Sequence, residues 1–231
     1  MILNKIISYL NKKGNKAAWT RTDVLNHIIS IEKPKNYLEI GVRDPNHNFN
    51  KILIKDKDGV DPNWLEDPTN GNKYQMGSDT FFDNLNDKKY DLIFIDGLHT
   101  YKQALKDINN AINHLSINGT ILIHDCNPAS EWHQRPSKDY NNKRAWYNKK
   151  GAWNGTTWKA FVELRCTNNT ISMLTINTDH GLGLIKLGKQ ILYDREELKE
   201  CITWPYLKKN RVDLLNLISV DKFLQLIEKN R

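Results

Sequence analysis

Four short apolar runs, each closed by polar residues and followed by a helical pattern, constrain this chain more than any other feature. They are N-Y-L-E-I ending at Ile40, D-G-V before Asp61, D-L-I-F-I before Asp96 and T-I-L-I-H before Asp125. Runs this short, enriched in β-branched residues, suit strands buried on both faces of a parallel sheet covered by helices. Between the last two, Ala104, Leu105, Ile108, Ala111, Ile112 and Leu115 recur at three- and four-residue spacing, the stripe of an amphipathic helix. Asn118 and Gly119 are expected to stop that helix in a left-handed turn. Strand, helix and strand in this order form a right-handed βαβ unit.

Around this core, residues 1–13 and about 21–31 read as amphipathic helices, the second capped by Thr20 or Thr22 and closed by Pro34. Downstream, T-T-W-K-A-F-V-E-L-R-C reads as a helix. I-S-M-L-T-I-N-T and G-L-G-L-I-K-L-G read as a hairpin joined by Asp179, His180 and Gly181. The tail from Arg195 carries two helical patterns broken at Trp204-Pro205 and is expected to pack on the sheet without extending it. The whole is an α/β, Rossmann-like, doubly wound and mostly parallel seven-stranded sheet with a C-terminal antiparallel hairpin and helical decorations at both ends. One domain is expected over 1–231: helices to 33, a binding core at 34–126, an insertion at 127–155, a helix and hairpin at 156–188, and closing helices from 189.

Composition narrows the class. Hydrophobic residues at 39%, aromatics at 10% and seven tryptophans give enough apolar surface for a folded core. No run approaches the ~18 apolar residues of a membrane span, and no signal peptide is legible. Cys126, Cys166 and Cys201 are odd in number, separated and without metal-type spacing, which points to a reducing cytoplasm. The formal charge of +7 comes largely from lysines scattered over solvated faces, so a nucleic-acid partner is not expected. The residues leave a homo-oligomer open.

In an open parallel sheet, ligands bind beyond the carboxyl ends of the strands where strand order reverses. Polar groups collect there: Glu39 and the G-V-R-D turn, Asp61, Asp79 after Y-Q-M-G, Asp96, and Asp125. Asp61 follows Gly41 by twenty residues, the distance at which a second-strand acid accepts hydrogen bonds from ribose hydroxyls. The ligand expected is therefore a nucleoside.

Five segments, Y-L-E-I-G-V-R (37–43), G-V-D-P (59–62), M-G-S-D (76–79), Y-D-L-I-F-I-D-G-L-H-T-Y (90–101) and N-G-T-I-L-I-H-D (118–125), resemble the class I S-adenosylmethionine-dependent methyltransferases. The branch they resemble is the metal-dependent one of surface-glycan and antibiotic-sugar pathways. The resemblance covers roughly residues 36–128 and, more loosely, the hairpin. It implies S-adenosylmethionine as cofactor, with Glu39 and Gly41 under the methionine, Asp61 on the ribose, Ser78 and Asp79 beside the adenine, and Asp96 at the reacting centre. It implies O-methylation of a sugar, an activated sugar or a similar polar small molecule. The chain departs from the family after Gly41, where V-R-D-P-N-H-N-F lacks a second glycine, and Asn46 or Asn48 is expected to take the left-handed conformation.

Asp96 and Asp125 at neighbouring strand tips can converge on one hard cation, Mg²⁺ or Mn²⁺. The alternative for Asp125 is a capping acid, and His124 is a weaker candidate. His99, three residues beyond Asp96, is the candidate general base for a poorly nucleophilic hydroxyl, against the alternative of a helix cap. His47, His133, His180 and Cys126 read as structural or solvent-facing. Residues 127–155 lack any period and are dense in aromatics and lysine, and they read as an acceptor lid. Trp132, Trp146, Tyr147 and Trp153 would offer flat faces to a sugar, and Arg135, Lys138, Lys143 and Arg144 would meet a phosphate. The alternative is a surface loop pinned by its tryptophans. Other functions stay open at this level: an RNA methyltransferase, a nicotinamide dehydrogenase (against which G-x-G-x-x-G is absent) and a non-catalytic nucleoside-binding module.

Overall fold

The computed structural model describes residues 18–136 and 153–229. The expected helix over 1–13, and Lys138, Lys143, Arg144, Trp146 and Tyr147 of the insertion, lie outside the described residues. The first described helix, α1 (Arg21–Glu32), starts at Thr20 in a capping box with Asp23 and stops at Lys33, which is left-handed with φ 53°. The strands are β1 (Asn36–Ile40), β2 (Asp56–Val60), β3 (Asn72–Tyr74), β4 (Tyr90–Ile95), β5 (Leu115–Ile123), β6 (Ile171–Ile176), β7 (Leu182–Leu187) and β8 (Leu217–Ile218). The helices after α1 are α2 (Ser78–Asp83), α3 (Tyr101–Asn113), α4 (Thr157–Thr167), α5 (Leu198–Cys201), α6 (Trp204–Leu214) and α7 (Val220–Lys229).

All eight strands join one sheet in the order β3-β2-β1-β4-β5-β7-β6-β8. β1 to β5 run parallel, while β7 lies antiparallel between β5 and β6. The Rossmann-like architecture is as expected, with one strand more. Leu217 and Ile218 pair in parallel with Thr175 and Ile176, so the tail does extend the sheet. Pro205 sits in the first turn of α6, where a missing N–H costs nothing, so it opens a helix there.

The apolar runs alternate between two buried layers. Leu38, Ile93, Ile95, Ile121 and Ile123 face the layer that holds α3 and α4. Tyr37, Leu92, Phe94 and Leu122 face the layer that holds α1 and α7. Burial on both faces is why these strands read as continuous apolar runs. The helix-stop expectation at Asn118 and Gly119 is corrected: α3 ends at Asn113, and both residues lie inside β5. The strand reaches back to Leu115 because Leu115 pairs with Tyr90, across a register shift before Leu92.

Strand order reverses between β1 and β4. The register keeps the tips level, with Ile40 opposite both Val60 and Ile95, and Ile95 opposite Ile123. The residues that follow, Gly41, Asp61, Asp96 and His124, therefore emerge side by side at the carboxyl edge.

Candidate active site

Beyond the reversal point lies a cleft of about 740 Å³, its walls including Gly41, Arg43, Asp61, Ser78, Asp79 and Leu98. Gly41 has φ +90°, and a Cβ there would stand 2.2 Å from the Asp96 carbonyl oxygen. Only glycine lets the first turn pass this close to β4. The left-handed residue after it is Arg43, with φ 47°, and not Asn46 or Asn48; Asn48 has φ −140°. Asn48 is held elsewhere, donating to Glu39 and accepting from Thr22. Asp61 stands on the cleft wall and also accepts the Asn63 N–H at 2.7 Å. Ser78 donates to Asp107 and Asp79 pairs with Lys106, which fixes both at the start of α2.

Glu39 is not on that wall. It is buried, with its Oε2 accepting from the Tyr37 hydroxyl at 2.6 Å and from Asn48 at 2.9 Å. Burial outweighs those two bonds and raises its pKa to about 7.

Next to the cleft, at the tips of β4 and β5, the acids and histidines meet. Asp125 turns out of β5 with φ +64°, a conformation aspartate tolerates. His124 Nδ1 lies 3.1 Å from Asp96 Oδ1 and 3.2 Å from Asp125 Oδ2. One ligand atom each from Asp96, His124 and Asp125 falls within 4.8 Å of the others. His99 reaches the same two carboxylates, Nε2 to Asp96 at 3.2 Å and Nδ1 to Asp125 at 3.0 Å. Burial disfavours charge on every member, and ion pairing overrides it. His124 and Arg21 hold Asp96 well below the usual carboxylate range. The two carboxylates push His99 up to about 9 and hold His124 well above the usual imidazole range.

Two members had no local sequence signal. Arg21, the first residue of α1, pairs with Asp96 through its guanidinium and with Asp179 at 3.1 Å. Asp179, in the β6–β7 turn, also faces His124 Nε2 at 3.4 Å and accepts the Arg21 N–H at 2.6 Å. Neither lies at a parallel strand tip, and only docking of the hairpin and of α1 on β5 brings them in. His180 lies close as well, its ring centroid 5.7 Å from that of His124.

The ends of the insertion sit over this centre. The Trp153 ring stacks on His99, centroids 5.0 Å apart at 12°. The His133 carbonyl accepts the N–H groups of Asn154 and Gly155, Trp153 donates to the Arg135 carbonyl at 2.8 Å, and the Arg135 guanidinium lies 4.0 Å over the Trp132 ring.

Chemically, two carboxylates and an imidazole form an oxygen-rich donor set that fits a hard divalent ion, and the adjoining cleft fits an extended nucleoside. A family model described as a methyltransferase domain matches residues 14–126. No curated protein sequence matches the chain. Similar folds include a candidate O-methyltransferase of Klebsiella pneumoniae, with 12% identity, 81% of this chain and 90% of that one covered, and a TM-score of 0.51. A candidate caffeoyl-CoA O-methyltransferase of Staphylococcus aureus is 17% identical, with 80% and 92% covered and a TM-score of 0.52. The O-methyltransferase TomG of Streptomyces achromogenes, involved in tomaymycin synthesis and solved with S-adenosylmethionine, is 10% identical, with 81% and 89% covered and a TM-score of 0.51. At these identities the likeness is one of fold.

Proposed function

We propose that the chain is a class I S-adenosylmethionine-dependent methyltransferase, a reading supported by the methyltransferase-domain match over residues 14–126 and by the fold, and that it methylates a hydroxyl of a sugar or similar polar small molecule. The observation that carries the reading is the junction of the 740 Å³ cleft with the Asp96–His124–Asp125 cluster at the reversal point of the sheet. Asp61 would accept from the ribose hydroxyls, and Ser78 and Asp79 would flank the base. Gly41 leaves room for the sulfonium side of the cofactor. In the reaction the acceptor oxygen attacks the methyl carbon, the carbon–sulfur bond breaks, and S-adenosylhomocysteine leaves with the bonding pair. Holding the reacting atoms near 3–3.5 Å removes much of the entropic barrier.

The hydroxyl proton needs an acceptor, and His99, at the edge of the cluster under Trp153, is the base we assign. The carboxylates that face both its nitrogens, Asp96 and Asp125, raise its pKa to about 9 against the effect of burial. Asp96, Asp125 and His124 would hold Mg²⁺ or Mn²⁺, which supplies a Lewis acid that lowers the pKa of the acceptor hydroxyl. Trp132, Arg135 and Trp153 support an acceptor lid: an aromatic face beside a guanidinium suits a sugar ring carrying a phosphate.

Three free thiols favour a reducing cytoplasm, and the single shared sheet favours one domain. Among the described residues no helix is long and apolar enough to cross a membrane. The test is incubation with methyl-labelled S-adenosylmethionine and a panel of free sugars, nucleotide sugars and vicinal diols, read by mass spectrometry. Label on a hydroxyl of one of these is expected. Label entering RNA while the whole panel stays unlabelled would reject the small-molecule reading.

A further inference from the structure

The His124 ring is held from both sides. Its Nδ1 faces Asp96 and Asp125, where the three candidate ligand atoms converge. Its Nε2 faces Asp179 Oδ1 at 3.4 Å. A ring nitrogen can give its lone pair to a cation only when it carries no proton, and in the neutral ring the proton then sits on the other nitrogen. The hydrogen bond made by that other nitrogen decides which tautomer is present. An ionised carboxylate is an acceptor only, so with Asp96 and Asp125 engaged on the cation, Asp179 favours the proton on Nε2. Its own position is fixed by the left-handed turn, φ 41°, by the Arg21 N–H at 2.6 Å and by Arg21 Nε at 3.1 Å. Arg21 treats Asp96 in the same manner, taking Oδ2 and leaving Oδ1 toward His124.

We infer that Asp179 is the positioning residue of the ion site: by accepting the Nε2 proton of His124 it keeps Nδ1 open to a divalent cation. This rests on the divalent-ion reading above. It makes the hairpin turn and the start of α1 part of the site, since both must dock before His124 is set. The rival role for Asp179 is structural, a pin between the hairpin and α1.

The test is Mn²⁺ binding to the full chain, followed by electron paramagnetic resonance, in the wild type, Asp179→Ala and Asp179→Asn. Asparagine keeps the size and the left-handed tolerance of the turn, so it serves if the alanine variant misfolds. S-adenosylhomocysteine affinity within about threefold of wild type certifies the fold in each, since that ligand would bind in the separate cleft. Loss of a partner of this kind weakens metal binding about 10–100-fold, expected for alanine, with a smaller loss for asparagine. Nitrogen-15 spectra of labelled histidine at one fixed Mg²⁺ concentration are expected to show His124 as the neutral Nε2–H tautomer in the wild type and as a mixture of the Nε2–H and Nδ1–H tautomers in the alanine variant. Unchanged Mn²⁺ affinity in both variants overturns the inference. So does weakened Mn²⁺ binding with the proton still fixed on Nε2, which is the signature of the structural role. A wild type that binds no Mn²⁺ overturns the ion reading itself, a result distinct from either.

Discussion

Replacing Glu39 by glutamine is expected to change how stability depends on pH, and the size follows from where the carboxyl sits. Its Oε2 accepts from Tyr37 and Asn48, but it is only 2% exposed, and burial raises its pKa from 4.5 to about 7. Because the folded state binds the proton more tightly than the unfolded state, this contribution is fully present below about pH 4.5 and is lost as pH rises through 7. Between pH 5 and 7.5 the linkage relation gives a loss of about 2 kcal/mol from Glu39 alone. Glutamine presents a neutral oxygen to the same two donors and has nothing to titrate. The wild type should therefore lose about 2 kcal/mol relative to Glu39→Gln over that interval, or roughly 4–8 °C in Tm for a chain of this size. Urea unfolding of both proteins at the two pH values measures it, and titrating groups that do not interact with Glu39 cancel in the difference. A gap between the two proteins that stays constant from pH 5 to 7.5 would show that burial does not dominate at Glu39.

Asp61→Ala should weaken S-adenosylhomocysteine binding about 10–100-fold, the worth of a charge-assisted bond to the ribose; calorimetry giving an unchanged Kd removes Asp61 from the site. Gly41→Ala combines φ +90° with a Cβ 2.2 Å from backbone and should cost at least about 1–3 kcal/mol by denaturant midpoint, with cofactor binding lost; a stable variant with normal affinity would contradict the close approach. Chelation by EDTA should abolish turnover and Mg²⁺ or Mn²⁺ restore it, with Asp125→Asn needing more ion because an amide is a weaker ligand; full turnover after exhaustive chelation refutes the ion. His99→Ala should lower kcat about 10²–10⁴-fold with little change in cofactor affinity, and near-normal turnover would refute the assignment of His99 as the base.

Local chemistry alone determined a good part of this protein. Buried parallel strands must be apolar throughout, so β1, β4 and the apolar half of β5 stood out as runs closed by acids. The stripe from Ala104 to Ile112 announced α3, and Thr20 with Asp23 announced the start of α1, because helix periodicity and capping act within one turn. Gly41 and Asp61 were legible as a pair because each directly follows one of two neighbouring parallel strands, and both residues do line the cleft. Where an outcome depended on partners distant in sequence, the chain was silent or misleading. β8 is two residues long and exists only because β6 offers a free edge. Asn118 and Gly119 look like a helix stop, but pairing with β4 draws the segment into β5. Glu39 looks like a cleft acid, yet its side chain lies on the α1 face of β1, where Tyr37 and Asn48 hold it. His124 ranked below Asp125 until the β4–β5 register set it beside Asp96, and Arg21 and Asp179, 158 residues apart, meet only through docking of α1 and the hairpin. Side-chain periodicity and capping are read within a few residues, whereas register and docking are fixed by the summed burial of the whole sheet, which no segment carries by itself.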